Sequence, residues 1–239
     1  FMKLFLSILV ILIFISCEDR CLNSIGQNIE EHRTVGTFEK IEIFDQMNLT
    51  WHYNSIHSVI VQAGENLVPN IHTEVTDGWL IIENRNTCNF LRSYDHEINV
   101  HVYSPELKQI DCANSGNIYT EDTIVTRHFQ FNQWSASGIN AIIVNSDTVS
   151  LKLHTGTGDL SASGSCNQVY LYSASYGRME CQSLKARNGW VTSQSTGHVF
   201  MNVENRLEAF LYSQGNITLS SEPSAINSVL EGDGQILID

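Results

Sequence analysis

The chain has no Cys-x-x-Cys pair, no His-x-His or His-Glu-x-x-His, no Gly-x-Ser-x-Gly, no phosphate-binding loop and no Gly-x-Gly-x-x-Gly. Missing with them are the sequence signatures of zinc and redox sites, zinc proteases, serine hydrolases and nucleotide-binding folds. The nine histidines (His32, His52, His57, His72, His96, His101, His128, His154 and His198) are spread singly, as surface or hydrogen-bonded histidines are. No Pro-rich, Gly/Ser-rich or heptad segment is present, so neither a flexible linker nor a coiled coil is predicted. Charge is sparse, at 16% of residues, and one-sided, with 13 Lys and Arg against 26 Asp and Glu. Such a balance repels nucleic acid and anionic headgroups and suits solubility, a cationic partner or divalent ions. Asp233, in Glu231-Gly232-Asp233-Gly234, has no recurring calcium-binding nonapeptide around it, so no metal and no cofactor is expected.

What the chain does have is a period. Gly116, Gly138, Gly158, Gly177, Gly197, Gly215 and Gly234 follow one another at 22, 20, 19, 20, 18 and 19 residues. Six of them carry an apolar residue two places on: Ile118, Leu160, Met179, Val199, Ile217 and Ile236. The exception is Gly138, with Asn140 at that place. Alternating segments precede the glycines, as in Val149-Ser150-Leu151-Lys152-Leu153 and Val169-Tyr170-Leu171-Tyr172, and alternation of period two gives a strand with an inner and an outer face. A glycine at each bend admits positive φ. One such coil cannot bury its inner face alone, but stacked coils can. The pattern predicts an all-β, single-stranded β-solenoid, β-helix-like and right-handed, with about one rung per repeat over residues 106–239. An antiparallel sandwich or barrel is the alternative for short, evenly spaced strands. Rungs of unequal length, and the lack of a recurring Asn-Gly or Asp-Gly hairpin, favour the solenoid.

Residues 33–105 read differently. Ile41-Glu42-Ile43, Met47 to Trp51, Ser58 to Val61, Leu80 to Ile82 and Ile98 to Val102 alternate as strands, with a turn at Asp77-Gly78. A solenoid exposes its end strands, so this region is assigned as an N-terminal β cap, continuous with the rod as one domain over 33–239. The C-terminal rung, Gln235 to Asp239, has no cap in the sequence, and its free edge offers a route to a homo-oligomer.

The start of the chain supplies an address. Lys3 precedes Leu4 to Ile15, a run of twelve mostly apolar residues, too short for the roughly twenty that span a bilayer. Phe14-Ile15-Ser16-Cys17 resembles a relaxed bacterial lipobox, with residues 1–16 as signal peptide, Cys17 lipidated and residues 17–32 as tether. Removing residues 1–16 loses Lys3 alone, so 12 basic residues face 26 acidic ones and the net charge is −14. Export permits disulfides. Cys21 and Cys88 lie outside the glycine repeat and are paired, a bridge worth about 4 kcal/mol in the chain-entropy model. Cys112, Cys166 and Cys181 sit within the repeats as small buried hydrophobes.

The order of motifs is similar to that of a known family. Phe38-x-x-Ile41-x-Ile43, Ala63-Gly64-Glu65-Asn66-Leu67, Asp77 to Ile82, Cys88 to Tyr94, Ser115-Gly116-Asn117-Ile118 and Ser137-Gly138-Ile139-Asn140 together resemble the auto-transporter adhesin family with a head GIN domain, common among Bacteroidetes lipoproteins. The resemblance implies a β-helix-like fold, a cell-envelope location and, more weakly, adhesion. It carries over no catalytic residues.

Candidate functional residues follow from which side of each strand faces out. Tyr170, Tyr172 and Tyr212 are read as outward aromatics able to stack on sugars or pack a protein partner. The residues after each glycine form an outward ladder of Asn117, Ile139, Asp159, Arg178, His198, Asn216 and Gln235. Of these, Asp159, Arg178 and His198 alone suggest chemistry, and their simpler reading is a solvated, charge-balanced stripe. Asp122-Thr123-Ile124 and Asp147-Thr148-Val149 resemble the O-glycosylation motif of Bacteroidetes exported proteins and are placed in turns between rungs. The sequence thus points to a lipid-anchored, outer-membrane and surface-exposed lipoprotein acting as a non-catalytic binding or adhesion module, for a glycan or protein ligand and not for nucleic acid. A β-helix carbohydrate-active enzyme and a structural envelope protein without a ligand are the alternatives. Substitution Cys17→Ser is expected to abolish labelling of the protein with radioactive palmitate and to shift it from the membrane to the soluble fraction, read by fractionation and immunoblot.

Overall fold

The structure, a computed structural model, describes residues 25–86, 97–134 and 137–239. The signal segment and Cys17, Cys21 and Cys88 lie outside the described residues, and with them the lipidation and disulfide expectations. Among the described residues the chain is all-β, about two thirds strand with almost no helix, as the alternation predicts. In order these are β1 (Asn28–Thr34), β2 (Lys40–Asp45), β3 (Asn48–Tyr53), β4 (Ser58–Gly64), β5 (Ile71–Thr76), β6 (Trp79–Asn84), β7 (Asn99–Ser104), β8 (Gln109–Asn114), β9 (Ile118–Thr120), β10 (Ile124–Gln133), β11 (Ile139–Leu153), β12 (Asp159–Ser173), β13 (Met179–Ser193), β14 (Val199–Leu211), β15 (Ile217–Leu219), β16 (Ala225–Leu230) and β17 (Ile236–Ile238).

These strands form a β-solenoid from two parallel stacks. The first runs β6, β2, β8, β10, β11, β12, β13, β14, β16, and the second runs β7, β3, β9, β11, β12, β13, β14, β15, β17. Strands β11 to β14 serve both stacks. Each enters the second stack with its first residues, rounds a broad corner, and joins the first stack with its last five. The glycine then closes a tight corner back to the second stack. At about 4.8 Å per strand, the nine levels make a rod of about 38 Å.

Alternation becomes columns in the core. Leu80, Ile41, Ile110, Phe131, Leu151, Leu171, Val191 and Ala209 lie in register in the first stack. Val100, Leu49, Ile118, Asn140, Leu160, Met179, Val199, Ile217 and Ile236 do so in the second. From Ile118 on, that second column is the set of residues two places after the glycines. Asn140 is its polar member, and its partner lies across the core. Its Nδ2 donates to Gln133 Oε1 at 2.8 Å and to the Asp159 carbonyl at 3.0 Å, so a buried amide pair replaces apolar packing on this rung.

Two expectations are corrected. Residue 105 is not a boundary of the rod, because four strands within residues 33–105, β2, β3, β6 and β7, build rungs. The β2–β3 rung is inserted between β6–β7 and β8–β9. End-capping falls to the antiparallel strands alone, with β4 on β7, β1 on β4 and β5 on β6. Arg33 braces them, its guanidinium donating to the Ile71 and Val68 carbonyls at 2.6 and 3.0 Å. The Asp77-Gly78 turn joins β5 to β6 with φ of 51° and 78°, the left-handed pair a tight hairpin needs. At the other end β16 and β17 leave Val229, Leu230, Leu237 and Ile238 exposed.

The second correction concerns the repeat glycines. Of the seven, only Gly138 has positive φ. What the others lack is room. A Cβ on Gly177 would lie 2.0 Å from the Gly158 carbonyl oxygen, one on Gly197 2.1 Å from that of Gly177, and one on Gly215 2.2 Å from that of Gly197. From Gly138 onward each glycine sits on the peptide of the glycine below, and Gly116, at the foot of the column, sits on that of Met47. Gly177→Ala therefore forces backbone apart and is expected to cost about 3 kcal/mol. Gly78→Ala meets nothing within 4 Å and strains only φ, at about 1 kcal/mol. Urea denaturation followed by circular dichroism should rank them in that order, and equal midpoints would contradict the steric account.

Candidate functional site

The outer face of the first stack carries the aromatics. Successive levels align Gln130, Ser150, Tyr170, Trp190 and Glu208 in one outward column. Asn132, Lys152, Tyr172, Thr192 and Phe210 form the next. Because the pleat sends alternate side chains to the same side, Tyr170 and Tyr172 flank the buried Leu171 and both face outward. Tyr170 is 42% exposed and Trp190 beside it 41%. Trp190 stacks on Phe210 with centroids 5.0 Å apart at 28°.

A further line of rings borders this face where the strands end. Trp134 lies parallel to His154, with centroids 3.6 Å apart at 3°, and His154 touches Tyr172 at 5.4 Å. The Tyr172 hydroxyl donates to Gln194 Oε1 at 3.4 Å, and Tyr212, 43% exposed, continues the edge. Burial first, then the charge of Lys152, holds the His154 pKa below its ordinary value. Amides and one carboxylate rim the rings. Gln130 donates to Asn132 Oδ1 at 3.1 Å on one side. On the other, Asn227 and then Arg206 bond Glu208, keeping its carboxyl below the usual range.

The three tyrosines expected to point outward are thus on or beside one face. Trp190, Phe210, Trp134 and His154 complete it and were not singled out from the sequence. The signal was there, since Trp190 and Phe210 follow Tyr170 at steps of twenty and His154 follows Trp134 by twenty.

Asp159, Arg178 and His198 do fall in one stripe, but they do not converge on a reacting centre. Asp159 Oδ1 accepts the Arg178 backbone N–H at 2.8 Å, and His198 Nδ1 accepts that of Asn216 at 3.1 Å. Asn117 and Asn216 do the same for Ile139 and Gln235. Each side chain satisfies a peptide on the next rung. The Arg178 guanidinium turns to Glu180 at 3.1 Å and lies over the Phe200 ring at 5.1 Å.

Thr123 lies in the loop before β10, whereas Thr148, expected in a turn, is inside β11 between His128 and Gln168. Cys112, Cys166 and Cys181 are free and buried, and burial pushes each thiol up to about 12. Among the described residues no three His, Cys, Asp or Glu gather as a metal site, and no helix is long and apolar enough to cross a membrane.

Solved structures share this architecture. A putative adhesin from Bacteroides fragilis superposes with a TM-score of 0.83 at 20% identity, over 89% of this chain and 97% of that one. A putative lipid binding protein from Parabacteroides distasonis gives 0.71 at 19% identity, over 90% and 97%. A putative adhesin from Parabacteroides merdae gives 0.65 at 15%, over 90% and 97%. At these identities the likeness is one of fold. No curated protein matches the chain. The family model described as "Putative auto-transporter adhesin, head GIN domain" matches residues 37–223, the inserted rung and the repeat glycines Gly116 to Gly215 included, and the chain belongs to that family.

Proposed function

We propose that this protein is a non-catalytic binding module, exported and held at the cell surface by lipid on Cys17, whose ligand lies on the face formed by Tyr170, Tyr172, Trp190 and Phe210. The observation that carries this reading is the placing of rings on consecutive rungs of a rigid parallel sheet. The rungs repeat at about 4.8 Å, close to the rise of one pyranose ring in an extended chain. Large exposed apolar patches on a soluble surface mark binding sites, and here a rim of amides and a carboxylate supplies hydrogen bonds at fixed positions. A glycan fits this mixture of flat rings and polar rim better than a protein partner, which would ask for a more apolar centre.

A carbohydrate-active enzyme on the same scaffold has less to recommend it. Glycoside hydrolysis uses a pair of carboxyl groups facing each other across the scissile bond. Asp159, Arg178 and His198 are instead engaged in hydrogen bonds and an ion pair along the rod. Of the two candidate O-glycosylation sites, both half-buried, Thr123 lies in a loop and Thr148 within a strand.

The test is a glycan and matrix-protein array probed with the chain. Tyr170→Ala/Trp190→Ala is expected to lower any specific signal by about tenfold or more, since truncation of Trp and Tyr anchors at a binding face costs about 2 kcal/mol or more. A folded double variant that binds as well as the parent would refute the assignment of this face.

A further inference from the structure

A second surface lies on the broad corner, away from the aromatic face. A groove of about 880 Å³ runs along it, lined by the middle stretch of each rung from β10 past β14. Its charges are arranged. Arg127, Asp147, Asn167 and Arg187 recur at steps of twenty residues and occupy one outward line across four rungs, with Lys185 beside them opposite Ser165. Of the ten Lys and Arg among the described residues, Arg33, Arg85, Lys108, Arg178 and Arg206 have a carboxylate partner. Lys40, Arg127, Lys152, Lys185 and Arg187 have none, and three of these five, Arg127, Lys185 and Arg187, line this groove. In a chain of net charge −13, three cations without a carboxylate partner share one furrow.

We propose that this groove binds a linear acidic polysaccharide, laid along the rod with its carboxylate or sulfate groups on Arg127, Lys185 and Arg187. This goes beyond the aromatic face and does not depend on it. The shape fits a polymer, because the lining spans six rungs, about 24 Å at the strand spacing. Arg127 and Arg187 stand three rungs apart, about 14 Å, so a ligand that meets both must be several sugars long. The floor between them is small and polar, with Asn145, Ser165 and Asn167 offering the amides and hydroxyls that sugars bind. An acidic peptide fits less well. Strand addition needs a free sheet edge, and the backbone here is already paired to a rung on either side.

The acidic side chains of the groove set the register. Asp147 is committed to Asn167, whose Nδ2 donates to it at 3.1 Å. Glu204 and Glu222 lie at the far end, past the last cation. They repel a polyanion from the C-terminal rungs and hold it over the basic part. Charge elsewhere on the protein matters less, because salt screens beyond about 8 Å at physiological ionic strength.

Titration calorimetry on the full chain tests this with oligogalacturonates as the carboxylate probe, chondroitin sulfate oligosaccharides as the sulfate probe and poly-glutamate as the peptide control. A hexasaccharide of one or both kinds is expected to bind at least about tenfold more tightly than its disaccharide. Arg127→Gln and Arg187→Gln are each expected to weaken it by about tenfold, as loss of a charged hydrogen bond does. All these positions are exposed, so the variants should keep the parent circular dichroism spectrum. Tyr170→Ala/Trp190→Ala should leave this binding unchanged, which separates its failure from failure of the aromatic face. The proposal falls if neither probe binds, if length makes no difference, if the arginine variants bind like the parent, or if poly-glutamate binds as tightly as the hexasaccharide.

Discussion

The rod depends on one close approach. At the tight corner each rung from Gly116 onward must rest on the rung below with no side chain between them, and the column of glycines on carbonyls makes that contact. Because the spacing there is set by peptide against peptide, all rungs share one pitch, and the parallel ladders of both stacks stay in register. The inner apolar columns and the outer polar and aromatic ones follow from that registration. A side chain at the corner would lift one rung and break columns on every face.

Around this contact the corner handles its polar groups by repetition. Residues after the glycines point out and accept a peptide N–H from the next level, whether they are Asn, Asp or His. Inside, Gly177 and Gly197 donate to the hydroxyls of Ser175 and Ser195, and Ser195 donates in turn to the Ser175 carbonyl. Near Gly116, Asn114 bonds both the N–H and the carbonyl of Met47. Different residue types do one job, so the corner tolerates varied sequence while its glycine does not vary.

Much of the fold could be read from the sequence, because repetition there is repetition in space. The spacing of about twenty residues predicts the coil, and the apolar residue after each glycine is an inner column. Asn140 breaks the pattern, and its reason lay out of reach: its partner Gln133 belongs to the preceding rung, seven residues away around a corner. The positive φ expected of the repeat glycines was a local explanation for a contact between rungs. The place of β2 and β3 was likewise hidden, since spatial order there is not chain order. For the site, alternation gave the direction of Tyr170 and Tyr172. Trp190 and Phe210 needed one further step, the alignment of every position at the repeat length, which brings scattered aromatics onto a single face.

The inserted rung has a consequence for how the chain can assemble. From β10 onward each rung pairs with segments about twenty residues away, so that part of the rod can grow as the chain lengthens, one level upon another. Strand β2 finds its neighbours far later: Ile41 pairs with Leu80 and Ile110, 39 and 69 residues on. A chain synthesised N-terminus first presents this rung with nothing to lie on. Loop closure of that length must come before its contacts form. The N-terminal third is therefore the slow part of the molecule, and the time during which residues 40–53 wait unpaired is fixed by topology, however favourable their final packing.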